Sequence, residues 1–134
     1  MNLPPDIQLY GNPAWRGDCP TETAEAVTLF QAIRAQWPNT LGKIAVHVKN
    51  EGKRRHGQIS WDKAQGMVTG ASDVFIPGAP SFLCELKRRD HTKSRISKEQ
   101  IDYLRAAQAN GSFVCIALGW EAAFAAVKEW HSRN

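Results

Sequence analysis

Apolar residues recur at three- and four-residue steps from Thr21 to Trp37, where Ala26, Leu29, Phe30, Ile33 and Trp37 form one stripe. That spacing predicts a helix, which Pro38-Asn39 ends. Ile44 to Lys49 alternates apolar and polar positions and predicts a strand, with a turn at Asn50-Glu51-Gly52. Gln58 to Met67 is expected to be a short helix, and Gly66 and Gly70 to loosen the entry to the hairpin that follows. Two apolar runs, Val74 to Ile76 and Phe82 to Leu86, flank a Pro/Gly turn and predict a β-hairpin. Ser97 to Ala109 is a further helix, with a capping box at Ser97-Lys98-Glu99-Gln100 and a stop at Asn110-Gly111. Ser112 to Leu118 is a central strand broken by Gly119, and Trp120 to His131 is a closing helix on Ala123, Phe124, Val127 and Trp130. Residues 1–20, rich in proline and without periodicity, are expected to be an irregular N-terminal arm ahead of a single domain over 21–134. The order of elements predicts an α/β layer with a mixed central sheet flanked by helices.

The second arm of the hairpin carries charges where a buried strand should have none. Alternation puts Leu83, Glu85 and Lys87 on one face and Phe82, Cys84 and Leu86 on the other. If the turn is centred on Ala79, Asp73 falls opposite Glu85. Two carboxylates side by side repel, and burying them costs several kcal/mol. A divalent cation removes that repulsion, and Mg²⁺ suits one or two carboxylates with phosphates and waters. A lysine beside it can hold a phosphate or orient a water.

Charge sharpens this picture. The 134 residues carry a net charge of +4, and residues 43–98 hold twelve of the seventeen Lys and Arg against five of the thirteen Asp and Glu. The basic excess therefore surrounds the carboxylates, as suits a polyanionic substrate. Lys53, Arg54, Arg55 and Lys63 precede the hairpin, and Arg88, Arg89 and Lys93 follow it in what reads as a flexible basic loop. Each group is a candidate for phosphate contact, against the alternative of a solvated surface. Five tryptophans and a 43% hydrophobic share exclude a disordered tail. No run is long enough to span a membrane, and no signal peptide is expected. Cys19, Cys84 and Cys115 have neither zinc spacing nor an even count, which fits a reducing, intracellular setting.

Asp73 followed by Glu85-Leu86-Lys87 resembles the PD-(D/E)xK nuclease signature. Asn50-Glu51-Gly52, Gly70-Ala71-Ser72-Asp73, Glu85-Leu86-Lys87, and Ser97 with Gln100 form an ordered set that resembles its VRR-NUC branch, from about Thr21 to Trp130. Ser72 stands where the signature has proline, a position that shapes backbone and binds no metal. The resemblance implies a restriction-endonuclease-like core and a metal-dependent endonuclease. Asp73, Glu85, the carbonyl of Leu86 and a helix glutamate would hold Mg²⁺ or Mn²⁺, with Lys87 at the attacking water. Gln100 would be a site glutamine as well as a cap, Ser97 would lie along the nucleic acid, and Asn50 and Glu51 would border the site. DNA, branched or Holliday-junction-like, is the implied substrate and a homodimer the implied assembly.

Glu22 and Glu25 compete for the helix position. At about 100° per residue, Glu22 lies roughly 40° from the centre of the apolar stripe and Glu25 about 95°. The motif register also selects Glu22. The alternative function is a nucleic-acid-binding module that keeps the fold and does not cut. A third reading makes the charges a buried ion-pair network.

Overall fold

The computed structural model describes residues 1–48, 63–66 and 68–134. Its elements in order are β1 (Gln8–Tyr10), α1 (Glu22–Gln36), α2 (Leu41–Ile44), β2 (Val46–His47), β3 (Val74–Ile76), β4 (Phe82–Lys87), a 3₁₀ turn (His91–Lys93), α3 (Lys98–Ala109), β5 (Phe113–Leu118) and α4 (Trp120–Ser132). The strands form one mixed sheet in the order β1-β5-β4-β3-β2. β1, β5 and β4 run parallel, while β3 and β2 add antiparallel neighbours.

The hairpin has the expected register: Val74 pairs with Cys84, Phe75 with Leu83 and Ile76 with Phe82. Continued by one residue, this sets Asp73 against Glu85. Alternation then sorts β4 between two cores. Phe82, Cys84 and Leu86 pack with α1 and α4 around Leu29, Phe30, Ile33, Val127 and Trp130. Leu83 turns the other way, toward Leu104 of α3, Val114, Ile116 and Ile7. Trp130 seals the hairpin turn, its indole N–H donating to the Pro80 carbonyl at 2.8 Å. Cys84 and Cys115 face each other across β4 and β5, both buried and reduced.

Three expectations are corrected. The arm is not irregular throughout: β1 pairs with β5, register Gln8 to Cys115, and Ile7 is buried. A three-residue edge strand has too few positions to display alternation, and its partner lies far away in sequence. The strand expected at Ile44 to Lys49 shrinks to Val46–His47, because Leu41 is buried and a helical turn forms over Leu41–Ile44, tied by Gly42 N–H to the Trp37 carbonyl at 2.8 Å. The Lys49 end of that run lies outside the described residues. Gly70 does not loosen the chain: at φ +85° it abuts α3, where a Cβ would stand 2.5 Å from the Glu99 carbonyl. Of the helix expected over Gln58 to Met67 only Lys63 to Gly66 are described, all exposed. No helix among the described residues is long and apolar enough to cross a membrane.

Candidate active site

β4 carries Glu85 and Lys87 into the interior beside α3, and the end of β3 brings Asp73 to them. Glu85 is 0% exposed and Lys87 2%, an arrangement that only pairing and hydrogen bonds can sustain. Lys87 Nζ stands 3.6 Å from Glu85 Oε1. It donates to the Arg95 carbonyl and to Gln100 Oε1, the latter at 3.2 Å. Gln100 Nε2 donates in turn to Glu85 Oε1 at 2.8 Å. Asp73 Oδ2 accepts from the Leu86 N–H at 2.9 Å, fixing its carboxyl across the hairpin.

Gln100 also keeps its capping role. Its Oε1 accepts from Ser97 N–H at 2.9 Å while Ser97 Oγ accepts from its backbone N–H at 3.1 Å. The capping box and the site contacts are one set of bonds, so α3 begins at a point defined by Glu85 and Lys87.

Burial pushes the Glu85 carboxyl well above its ordinary range, and the adjoining Asp73 charge adds to it. Lys87 opposes that rise and Glu22 adds to it, which places the Glu22 carboxylate within electrostatic reach. The Glu85 carboxyl lies within hydrogen-bonding reach of Asp73, which raises it further, and its buried Oε2 receives no donor. Among the described residues no group of three His, Cys, Asp or Glu side chains gathers into a metal-holding cluster. The carboxylate donors on offer are the Asp73–Glu85 pair, with Glu22 further out. That chemistry fits Mg²⁺ or Mn²⁺, which take few protein carboxylates and complete their shells with water and phosphate oxygens.

The two glutamates of α1 divide their work. Glu22, half-buried, accepts from Ser94 Oγ at 2.9 Å through Oε2. Glu25 does not face sideways as its angle suggested; it is 3% exposed. Its Oε2 accepts from the Trp120 N–H at 3.2 Å and caps α4. Gly119, at φ +91°, permits this, since a Cβ there would lie 2.8 Å from that same oxygen. Helical angles locate a side chain relative to its own helix, and here α4 begins on the flank that would otherwise be solvent. Burial raises the Glu25 carboxyl above its ordinary value.

The loop after β4 is ordered, contrary to its unpatterned sequence. Asp90 caps the 3₁₀ turn by accepting from Thr92 N–H at 3.1 Å, and receives Gly17 N–H at 3.2 Å. The Thr92 hydroxyl above all, with these backbone bonds, holds its carboxyl down at about 2. Arg88 donates to the carbonyls of Pro20 and Cys19 at 2.9 and 2.7 Å, and Lys93 to that of Gly17 at 3.0 Å. Arg89 lies 4.3 Å over the Trp15 ring. The three basic residues expected along the nucleic acid thus meet residues 15–20, Arg88 and Lys93 through backbone carbonyls and Arg89 through the Trp15 ring. Lys63 is exposed, and Lys53, Arg54, Arg55, Asn50 and Glu51 lie outside the described residues.

Ser94, Asp90 and the Arg95 carbonyl are participants that the sequence reading missed. Asp90-His91-Thr92, an acid two residues before a threonine, is a local turn signal that points to Asp90. Nothing local marks Ser94.

The fold recurs in a solved structure described as a "VRR_NUC domain protein", with a TM-score of 0.70 and 16% sequence identity over 88% of this chain and 92% of the other. No family model and no curated protein matches the chain.

Proposed function

We propose that this chain is a metal-dependent endonuclease that hydrolyses phosphodiester bonds in DNA, selecting branched or junction-like structures and working as a homodimer. The observation that carries the reading is the Asp73–Glu85 carboxylate pair: Glu85 is fully buried beside Lys87, with Oε2 meeting no donor, and Asp73 is half-buried at the end of β3. Setting a second carboxylate against a buried one is costly unless a cation joins them. The fold shared with a VRR_NUC domain protein supports a nuclease-type function.

Asp73, Glu85, the Leu86 carbonyl and Glu22 would hold Mg²⁺ or Mn²⁺. The ion supplies polarisation of the scissile phosphate and a more acidic water. Lys87 carries three donors, of which Arg95 and Gln100 take two. The third is left for the attacking water or a phosphate oxygen. Gln100 holds Glu85 Oε1, and Oε2 is the oxygen that receives no donor. The proposed products are a 5′-phosphate and a 3′-hydroxyl.

The second reading, a binding module without chemistry, draws on the Lys87–Glu85 contact, which partly neutralises the site without a cation. Cleavage of matched linear, flapped and four-way-junction DNA separates the two. The nuclease cuts in Mg²⁺ or Mn²⁺, stops with EDTA and is inactive as Lys87→Ala. A wild type that binds DNA as Lys87→Ala does and cuts nothing in either metal leaves only the binding module.

A further inference from the structure

We propose that Ser94 is a positioning residue for Glu22, and that the Arg88–Ser94 loop is built to deliver that hydroxyl rather than to grip the polyanion. The inference rests on Glu22 belonging to the site proposed above.

Glu22 is the first residue of α1 and half-buried, and the N-cap bond of that helix is made by its neighbour Thr21. A glutamate so placed has three rotatable bonds and loses that freedom only to a specific partner. Ser94 Oγ is that partner, at 2.9 Å from Oε2. The same hydroxyl accepts from the Arg88 N–H at 3.0 Å. A serine hydroxyl has one proton, so with a lone pair given to Arg88 N–H its donor is aimed at Glu22. Ser94 is 8% exposed, and its own N–H is fixed on the His91 carbonyl at 3.1 Å.

The rest of the loop holds the other end of this contact. Five side-chain bonds join it to the strap between β1 and α1: Arg88 to Pro20 and Cys19, Lys93 to Gly17, His91 to Pro13, and Gly17 N–H to Asp90. The Arg88 fork ends on the two carbonyls immediately before Thr21, where α1 starts. Loop and strap therefore close on each other with Glu22 and Ser94 at the junction. Arg88 and Lys93 donate to carbonyl oxygens, the acceptors nearest in kind to phosphate oxygens, while Arg89 lies over the Trp15 ring.

The test uses the full chain, Mn²⁺ titrated by calorimetry, cleavage kinetics on junction DNA, and the salt dependence of DNA binding. Ser94→Ala is expected to weaken Mn²⁺ and lower kcat by about ten-fold or more with KM for DNA unchanged, the usual size for loss of an outer-shell partner. Ser94→Thr, which keeps the hydroxyl, should recover most of both. Arg88→Ala should share the Mn²⁺ defect and keep the wild-type salt slope. Ser94→Ala added to Glu22→Ala should weaken Mn²⁺ no further, since the two act through one contact. Wild-type Mn²⁺ affinity and kcat in Ser94→Ala overturn the inference while leaving the nuclease intact. So does an Arg88→Ala variant whose salt slope falls by about one with Mn²⁺ affinity unchanged, the mark of a phosphate contact. A wild type that neither binds Mn²⁺ nor cuts removes the nuclease reading and this inference with it.

Discussion

Gln100 Nε2 lies 2.8 Å from Glu85 Oε1, and this bond ties the start of α3 to the most deeply buried carboxylate of the sheet. Because the same side chain completes the α3 capping box, its two roles separate by substitution. Gln100→Ala loses both and leaves buried Glu85 and Lys87 each short of a partner, which should cost about 1–3 kcal/mol of stability. Gln100→Glu keeps an acceptor for Ser97 N–H but sets an anion against Glu85. It should cut DNA more slowly than its stability loss accounts for. Denaturant melts set beside cleavage rates check this, and equal rates in Gln100→Glu and wild type would leave Gln100 as a cap alone.

Glu85 gives the site a pH dependence. Its carboxyl is raised well above the ordinary 4.5 by burial and by Asp73, so the cation-free protein loses stability as pH rises from there through the folded value. Glu85→Gln should therefore stabilise the cation-free protein more at pH 8 than at pH 5. A cation held by Glu85 would have to displace its proton, so Mn²⁺ affinity should rise with pH and binding should release protons. Calorimetry in buffers of different ionisation enthalpy reads that release directly; binding without it would mean that Glu85 is not a ligand.

Asp90 acts in the opposite direction. Its carboxyl sits at about 2 in the folded chain against an ordinary 3.8, so its contribution is complete above the ordinary value and lost as pH falls through about 2. Asp90→Asn should melt below wild type at pH 6, and the gap should close as pH falls toward 2. A gap independent of pH would show that the carboxylate charge does not hold the strap.

The cysteines differ in reach. Cys84 and Cys115 are 0% exposed, and a side-chain hydrogen bond to Cys115, followed by burial, pushes the Cys84 thiol well above its ordinary value, whereas Cys19 is half-exposed in the strap. A thiol reagent should label Cys19 fast in the native protein, and the other two only on unfolding. Rapid labelling of all three would mean that the β4–β5 seam opens easily.

Lys87→Ala removes the cation beside Glu85 and leaves Gln100 Oε1 and the Arg95 carbonyl without their donor. Activity should vanish, and stability should fall most at alkaline pH, where Glu85 bears its charge alone. Lys87→Met, which keeps volume without charge, separates the lost donor from lost packing: it should recover stability at pH 5 and no activity.

What the sequence alone determined follows from short-range periodicity. A period of two sets Glu85 and Lys87 on one face of β4, and a turn centred on Ala79 sets Asp73 against Glu85 in the observed register. The capping box at Ser97 and Gln100 was legible for the same reason, since its partners are three residues apart. What the tertiary structure decided involves partners far apart along the chain. β1 exists because β5 offers it an edge more than a hundred residues away, and Glu25 is buried because α4 starts against it. The loop from Arg88 to Ser94 is ordered because the strap supplies carbonyls and an amide for its side chains. A basic loop and a polar arm each read as solvated when taken alone. Their hydrogen-bonding groups satisfy one another only after the sheet has brought the two together, and that meeting leaves no mark in either segment.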